Sequence, residues 1–506
     1  MNFRQIQAIL HSWFGIIILW LLFFIFFTGS IAYFRTEINM WAQPEVLHQV
    51  GQPPSAHHSA QTAYDYLSQH APDAQRWRVS LANDRMPVNV LQWQSQDGRQ
   101  QHLQDPNTGA LLAPVRESLG GDFFFKLHYT LYPLPAKIGS TVVAIAALIL
   151  LISLITGIIT HRKIIKEFFV FRSFKGQRSL LDLHHITGVV SLPFYLIMAF
   201  TGLLILFYLV LPWGVSQQYG KAGVPQLYQE LQFSSFEKPA LTETTAMPPF
   251  AQFAQQLPEQ ADTGAVLNKF DLQKSDQSDA IIRFEYQFNQ IITLNTPYYS
   301  FVANTALPVN QSRNLSPIAQ LASSSYGIHL GYFAAMWTRF LLAMMGVIGC
   351  VMLAAGALLW QKKRIKQQTS LSYRLVHHLN IFTFLGLPLA CASYFLIGRL
   401  LPPAMEFRGS YEVWLFYLVW FMSFGMSWIL STRVAILCLL VITSLVLFLV
   451  PLSSWIWVPE LAFGQRASHV DGLFFVFDLV FALLAIGYAW ASYMYLKKFN
   501  RVGVTR

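Results

Sequence analysis

Long uncharged apolar stretches alternate with polar segments along this chain, and their lengths set the reading. A helix that crosses a bilayer needs about 20 mainly apolar residues. Eight such runs occur, near 13–34, 138–160, 186–211, 340–360, 379–398, 413–430, 434–450 and 472–496. The first carries no charge and has no small-residue cleavage site after it, so it reads as an anchor and not a removed signal. Lys and Arg gather in 161–181 (Arg162, Lys163, Lys166, Arg172, Lys175, Arg178), in 361–374 (Lys362, Lys363, Arg364, Lys366, Arg374) and at Lys497, Lys498, Arg501 and Arg506. With eight spans these clusters share one side, which the positive-inside rule makes the cytoplasm, together with both termini.

The opposite side receives two long polar segments, about 35–137 and 212–339. The first shows helical spacing at Ala60, Ala63, Tyr64 and Leu67, strand-like alternation over 88–93, and the turn Asp105-Pro106-Asn107-Thr108-Gly109 between apolar flanks. The second shows strands near 280–288 and 298–303. The expected fold class is a membrane all-α protein: eight transmembrane helices with two periplasmic α+β insertions. Its parts are a first helix (1–35), an outer domain (36–135), helices 2 and 3 with a basic loop (136–211), a second outer domain (212–330), helix 4 (331–366) and helices 5 to 8 (371–498).

Composition narrows the function. Of 506 residues 54% are hydrophobic and 12% charged, against roughly 25% charged in soluble domains, which excludes a soluble enzyme. The net charge of +10 comes from clusters beside apolar runs and does not indicate nucleic-acid binding. Cys350, Cys391 and Cys438 all lie in apolar stretches, so no disulfide framework is expected. The chain has no Cys-x-x-Cys-His, so any haem would be held without covalent links, and no Gly-x-Gly-x-x-Gly marks a nucleotide site.

An internal repeat carries most of the information. Leu10-His11-Ser12-Trp13-Phe14-Gly15 opens the first apolar run, which reaches Thr28-Gly29, and Leu183-His184-His185-Ile186-Thr187-Gly188 opens the third, which reaches Thr201-Gly202. His to Thr is 17 residues in both. Leu127-His128 and Ile328-His329 precede the second and fourth runs, with 34 residues from His128 to Arg162 and 33 from His329 to Lys362. Val376-His377-His378 begins a third, degenerate copy. Helices 1 and 3 run in the same direction, so His11 and His184 share a depth near the cytoplasmic face, and His128 and His329 share one near the outer face.

Ionisable residues at membrane depth are functional by default. Two neutral imidazoles facing each other suit a six-coordinate haem iron, and Gly15, Gly188, Gly327 and Gly331 leave room for a flat porphyrin. Interfacial histidines are the bland alternative. Zinc or copper lacks a Cys, Asp or Glu at ligand spacing, and a proton relay lacks a carboxylate chain. Asp478 is the one clear acid inside a run, able to pair with Arg399 or Arg466 or simply to reach the headgroups.

At these residues the sequence resembles the PepSY-associated transmembrane proteins, also called iron-regulated membrane proteins. The likeness rests on Leu10–Gly15 with Thr28-Gly29, Leu127-His128, Asp182-Leu183-His184 with Gly188 and Thr201-Gly202, and Ile328-His329. The Asp105–Gly109 turn looks like the ending of a PepSY module. The resemblance covers roughly 1–366, and helices 5 to 8 look like the extension of longer members. It implies PepSY-like outer domains and an inner-membrane reductase of ferric siderophores with haem in a four-helix core. Two non-covalent haems b would be held by His11, His184, His128 and His329, with His377, His378 or His185 as further candidates on the inner side. Catalytic residues stay unassigned. The implied partners are membrane lipid, a ferric siderophore or chelate, and an electron donor, either a quinol or a cytoplasmic carrier. A non-redox sensor or regulator, or a siderophore or metal transporter, stands as the alternative.

Overall fold

The computed structural model describes residues 2–95, 98–160, 176–210, 247–260, 264–273, 280–287, 298–310, 317–457 and 471–503, with isolated positions between 213 and 223. The basic stretch 161–175 and Arg466 lie outside the described residues. Two compact units emerge: a helical one from Met1–Pro44, Arg116–Leu203 and Thr338–Arg506, and a second from Glu45–Val115 and Leu204–Trp337.

Among the described residues of the helical unit, seven helices are long and apolar enough to cross a bilayer: Phe3–Ala32, Ala136–Thr160, Met336–Lys363, Leu371–Leu400, Arg408–Ile429, Thr432–Ile456 and Gly472–Lys498. The chain is thus a multi-pass membrane protein. Ala136–Thr160 has no charged residue after Lys137, as befits a segment with neighbours on one side and acyl chains on the other. Side chains such as Ile17 (69% exposed), Trp414 (63%) and Ile486 (65%) point away from the protein, an apolar surface suited to lipid.

The third apolar run is not one continuous helix. It is two helices, Gln177–Val190 and Leu192–Phe207, bent by 65° at Ser191. Pro193 sits at the start of the second helix, where it has no N–H to return to the preceding turn, so the α-ladder stops there. A second irregularity falls in Leu371–Leu400, which widens to a π turn over Phe382–Gly386, two residues before Pro388.

Buried ion pairs tie the later helices to the rest of this unit. Arg339 donates to Glu37 at 2.8 Å. Arg408 and Glu412, both almost fully buried, pair one turn apart. Arg408 also donates to Glu117 O at 2.8 Å, Ser118 Oγ donates to Glu412 at 2.7 Å, and the Tyr394 hydroxyl donates to Gly120 O at 3.2 Å. These further hydrogen bonds help offset the cost of burying the two charges. Arg399, a sequence-based partner for Asp478, lies 3.7 Å over the Trp41 ring and donates to Trp41 O and Ser454 Oγ.

The second unit is a seven-stranded antiparallel sheet in the order β3-β2-β1-β4-β5-β6-β7. Its strands are β1 (Arg76–Ser80), β2 (Asn89–Ser95), β3 (Gly98–Gln104), β4 (Val266–Gln273), β5 (Ile281–Gln287), β6 (Tyr298–Val302) and β7 (Pro308–Asn310). The strands of the two polar segments therefore form one sheet. They join where β1 pairs with β4, with Val79 opposite Phe270, and Asp271 accepts from Arg76 at 2.7 Å across that seam. The Ala56–His70 helix buries Ala60, Ala63, Tyr64 and Leu67 in the sheet's core, the stripe its spacing suggested. After β3 the chain reverses through Asp105–Gly109: Gly109 N–H donates to Asp105 O at 2.9 Å, and Gly109 adopts φ +75°, which a glycine tolerates best.

Candidate functional site

His11 lies on the Phe3–Ala32 helix and His184 on the Gln177–Val190 helix. The two are 173 positions apart in sequence, yet their ring centres are 6.3 Å apart, with planes inclined at 66°. Two imidazoles bound to opposite sides of one metal, each through a bond of about 2 Å, have centres roughly 6 Å apart.

Each ring is fixed from behind in the same way. His11 Nδ1 is 2.9 Å from Ser153 O, and His184 Nδ1 is 2.8 Å from Met352 O. A carbonyl oxygen only accepts, so Nδ1 carries the proton in both, and Nε2 keeps the lone pair a metal would take. Four residues beyond each carbonyl stands a glycine. A Cβ on Gly157 would approach His11 Cε1 to 3.3 Å, and one on Gly356 would approach His184 Nδ1 to 3.2 Å. The imidazole thus lies against bare backbone, where any side chain would push it off its carbonyl.

His128, near the end of the Gly120–Thr130 helix, repeats the device. Its Nδ1 lies 2.9 Å from Ile25 O, and a Cβ on Gly29, again four residues on, would come within 2.7 Å of the ring. Three of the four histidines singled out by the repeat therefore share one tautomer and one mode of support. His329 stands in the last turn of Pro317–Leu330, which belongs to the sheet-bearing unit.

A cavity of about 350 Å³ surrounds the His11–His184 pair. The Phe3–Ala32, Ala136–Thr160, Gln177–Val190 and Met336–Lys363 helices all line it, with Gly15 and Gly188 in its walls and Lys363 and Arg364 at one end. The walls are apolar and the cations are suited to carboxylates. Two proton-fixed imidazoles at metal-bridging separation, small residues beside them and basic groups at the rim fit a flat, dicarboxylate, iron-bearing macrocycle. No group of three or more His, Cys, Asp or Glu among the described residues could hold a bare metal ion.

His185 lines the same cavity, its ring centre 6.4 Å from that of His184. His377 is placed differently. Gln361 Nε2 donates to its Nδ1 at 2.8 Å, so its proton sits on Nε2, which is 2.9 Å from Thr432 Oγ1. That is the opposite tautomer to His11 and His184, with both ring nitrogens engaged. His378 stacks on Trp428 at 3.8 Å, with Nδ1 3.1 Å from Ser427 Oγ.

Sequence reasoning did not single out Ser153, Gly157, Met352 and Gly356. A signal was present: Gly157 follows His128 by 29 residues and Gly356 follows His329 by 27, so these glycines recur with the repeat. No curated protein matches the sequence. The pattern of the PepSY-associated TM region matches residues 8–363, from just before His11 to the basic end of the fourth apolar run, and so takes in all four repeated histidines. The chain belongs to this family of PepSY-associated transmembrane proteins.

Proposed function

We propose that the protein is an inner-membrane di-haem b-type electron-transfer protein that reduces ferric siderophores or other ferric chelates on the periplasmic side, freeing iron as the weakly held ferrous ion. The observation that carries this reading is the His11–His184 pair, with rings 6.3 Å apart and both Nδ1 protons committed to backbone carbonyls. Haem bound there would supply one-electron Fe(III)/Fe(II) chemistry. The chain's own part is to fix both imidazole tautomers, exclude water with apolar helix walls and offer Lys363 and Arg364 to the propionates. By the repeat, His128, held like His11 and His184, serves the second haem, toward the periplasm. The bent helix completes eight spans, with both termini in the cytoplasm. An inside-negative potential then favours outward electron flow by about 2.3 kcal/mol per 100 mV.

The test is anaerobic. Purified protein reduced with dithionite and freed of excess reductant is mixed with a ferric siderophore and a chromogenic ferrous chelator. We expect the reduced spectrum to be lost as the ferrous complex appears, in step with it. A reduced spectrum that persists with ferric chelate present contradicts the reductase reading.

A further inference from the structure

A second cavity in the helical unit, about 830 Å³ and almost wholly apolar, lies between the Phe3–Ala32 helix and the Leu371–Leu400 and Arg408–Ile429 helices. The latter two fall outside the segment matched to the family. Its walls are aromatic. Trp420 stacks on Phe24 (5.3 Å, 12°) and on Phe382 (4.7 Å, 6°), and Trp20 and Tyr417 also line it. The polar groups on these rings are already used: Trp20 Nε1 donates to Asn380, Trp420 Nε1 to Phe382 O, and the Tyr417 hydroxyl to Tyr132 O.

Among the buried polar side chains of the wall, one differs. Thr383, only 3% exposed, lines the cavity from the π turn, and its hydroxyl has no hydrogen-bond partner among the described residues. Thr28, Thr201 and Thr443, in regular helix, each return the hydroxyl to the carbonyl four residues back. A hydroxyl that opens onto an apolar cavity without a partner is costly, and it calls for an occupant that hydrogen-bonds. π turns also recur at functional sites.

We propose that this cavity binds the headgroup of an isoprenoid quinone or quinol. A flat ring suits the stacked aromatic walls, a carbonyl or hydroxyl on it satisfies Thr383 Oγ1, and an apolar tail belongs in the surrounding lipid. This deepens the electron-transfer reading and rests on it, since that reading needs an electron donor and a quinol is one of the two it allows. The placement agrees: Leu19 and Leu22 line the histidine cavity while Trp20, Leu21 and Phe24 line this one. A single helix, about 10 Å across, therefore separates the two.

Full-length protein in detergent, titrated with decylubiquinone in a calorimeter, tests the proposal. Saturable heat at about one quinone per chain is expected. Thr383→Val, which keeps the shape and deletes the hydroxyl, should weaken binding about five- to tenfold. Leu415→Phe, which narrows the cavity, should weaken it further, and neither variant should alter the optical spectrum. Equal displacement of the quinone by decanol would mark the cavity as a seat for acyl chains and overturn the proposal, as would unchanged affinity in Thr383→Val. The heat does not depend on haem. A colourless protein that binds the quinone would therefore sink the haem reading and leave this site standing, and a coloured one that does not bind would do the reverse.

Discussion

His184→Ala is expected to leave the protein with about one haem fewer per chain than wild type, and His11→Ala to do the same. The two rings face each other across one gap, 6.3 Å between centres, so each mutant keeps a single ligand on that side. One imidazole does not hold a non-covalent macrocycle as two do, because the second bond makes binding bidentate at little extra entropic cost. The haem held through His128 should persist in both mutants, since His128 is supported by Ile25 O and Gly29, far along the first helix from His11. Pyridine haemochrome assay gives the stoichiometry directly. Loss of the same haem in His377→Ala, with none in His11→Ala, would contradict the pairing, because His377 is held by Gln361 and Thr432.

Gly29→Ala should have nearly as large an effect without touching a ligand. The added methyl would sit 2.7 Å from His128 Cε1 and Nδ1, closer than carbon atoms approach. Either the ring leaves Ile25 O or the helices part. Losing the hydrogen bond costs about 1 kcal/mol, and second-shell changes of this kind typically lower affinity about 10- to 100-fold. The expected outcome is loss of the His128 haem on dilution, with the His11–His184 haem retained. Gly425→Ala is the matched control: nothing lies within 4 Å of its Cβ position, so haem content should not move and thermal stability should not fall.

Much of this arrangement was legible in the sequence, for identifiable reasons. Apolar length is dictated by bilayer thickness, so the spans stood out; so did the Ala60, Ala63, Tyr64, Leu67 stripe and the Asp105–Gly109 turn, which are local patterns. His11 and His184 could be paired because the repeat forces equal depth on helices of the same direction. Choices made between distant segments were not legible. Nothing near Val79 indicates that its strand pairs with one beginning at Val266, so the two polar segments read as separate insertions although their strands share one sheet. Met352 O becomes the acceptor for His184 only through helix packing, and its marker is the absence of a side chain at Gly356. His377, next to His378 as His184 is next to His185, stood as a further candidate in a degenerate copy of the repeat. Only the placement of Gln361 and Thr432 reverses its tautomer. The 65° bend was hidden because Pro193 is itself apolar and does not interrupt the hydropathy of its run.

Whether His11 and His184 together hold one haem is read from the optical spectrum of the purified full-length protein. Expressed with haem supplied and reduced with dithionite, it should show the sharp, split visible bands of low-spin bis-histidine haem, at about two haems per chain, all extractable by acid acetone. His11→Ala and His184→Ala should each lose the same component of that spectrum. A colourless protein, or one whose spectrum is unchanged in both variants, would contradict the account.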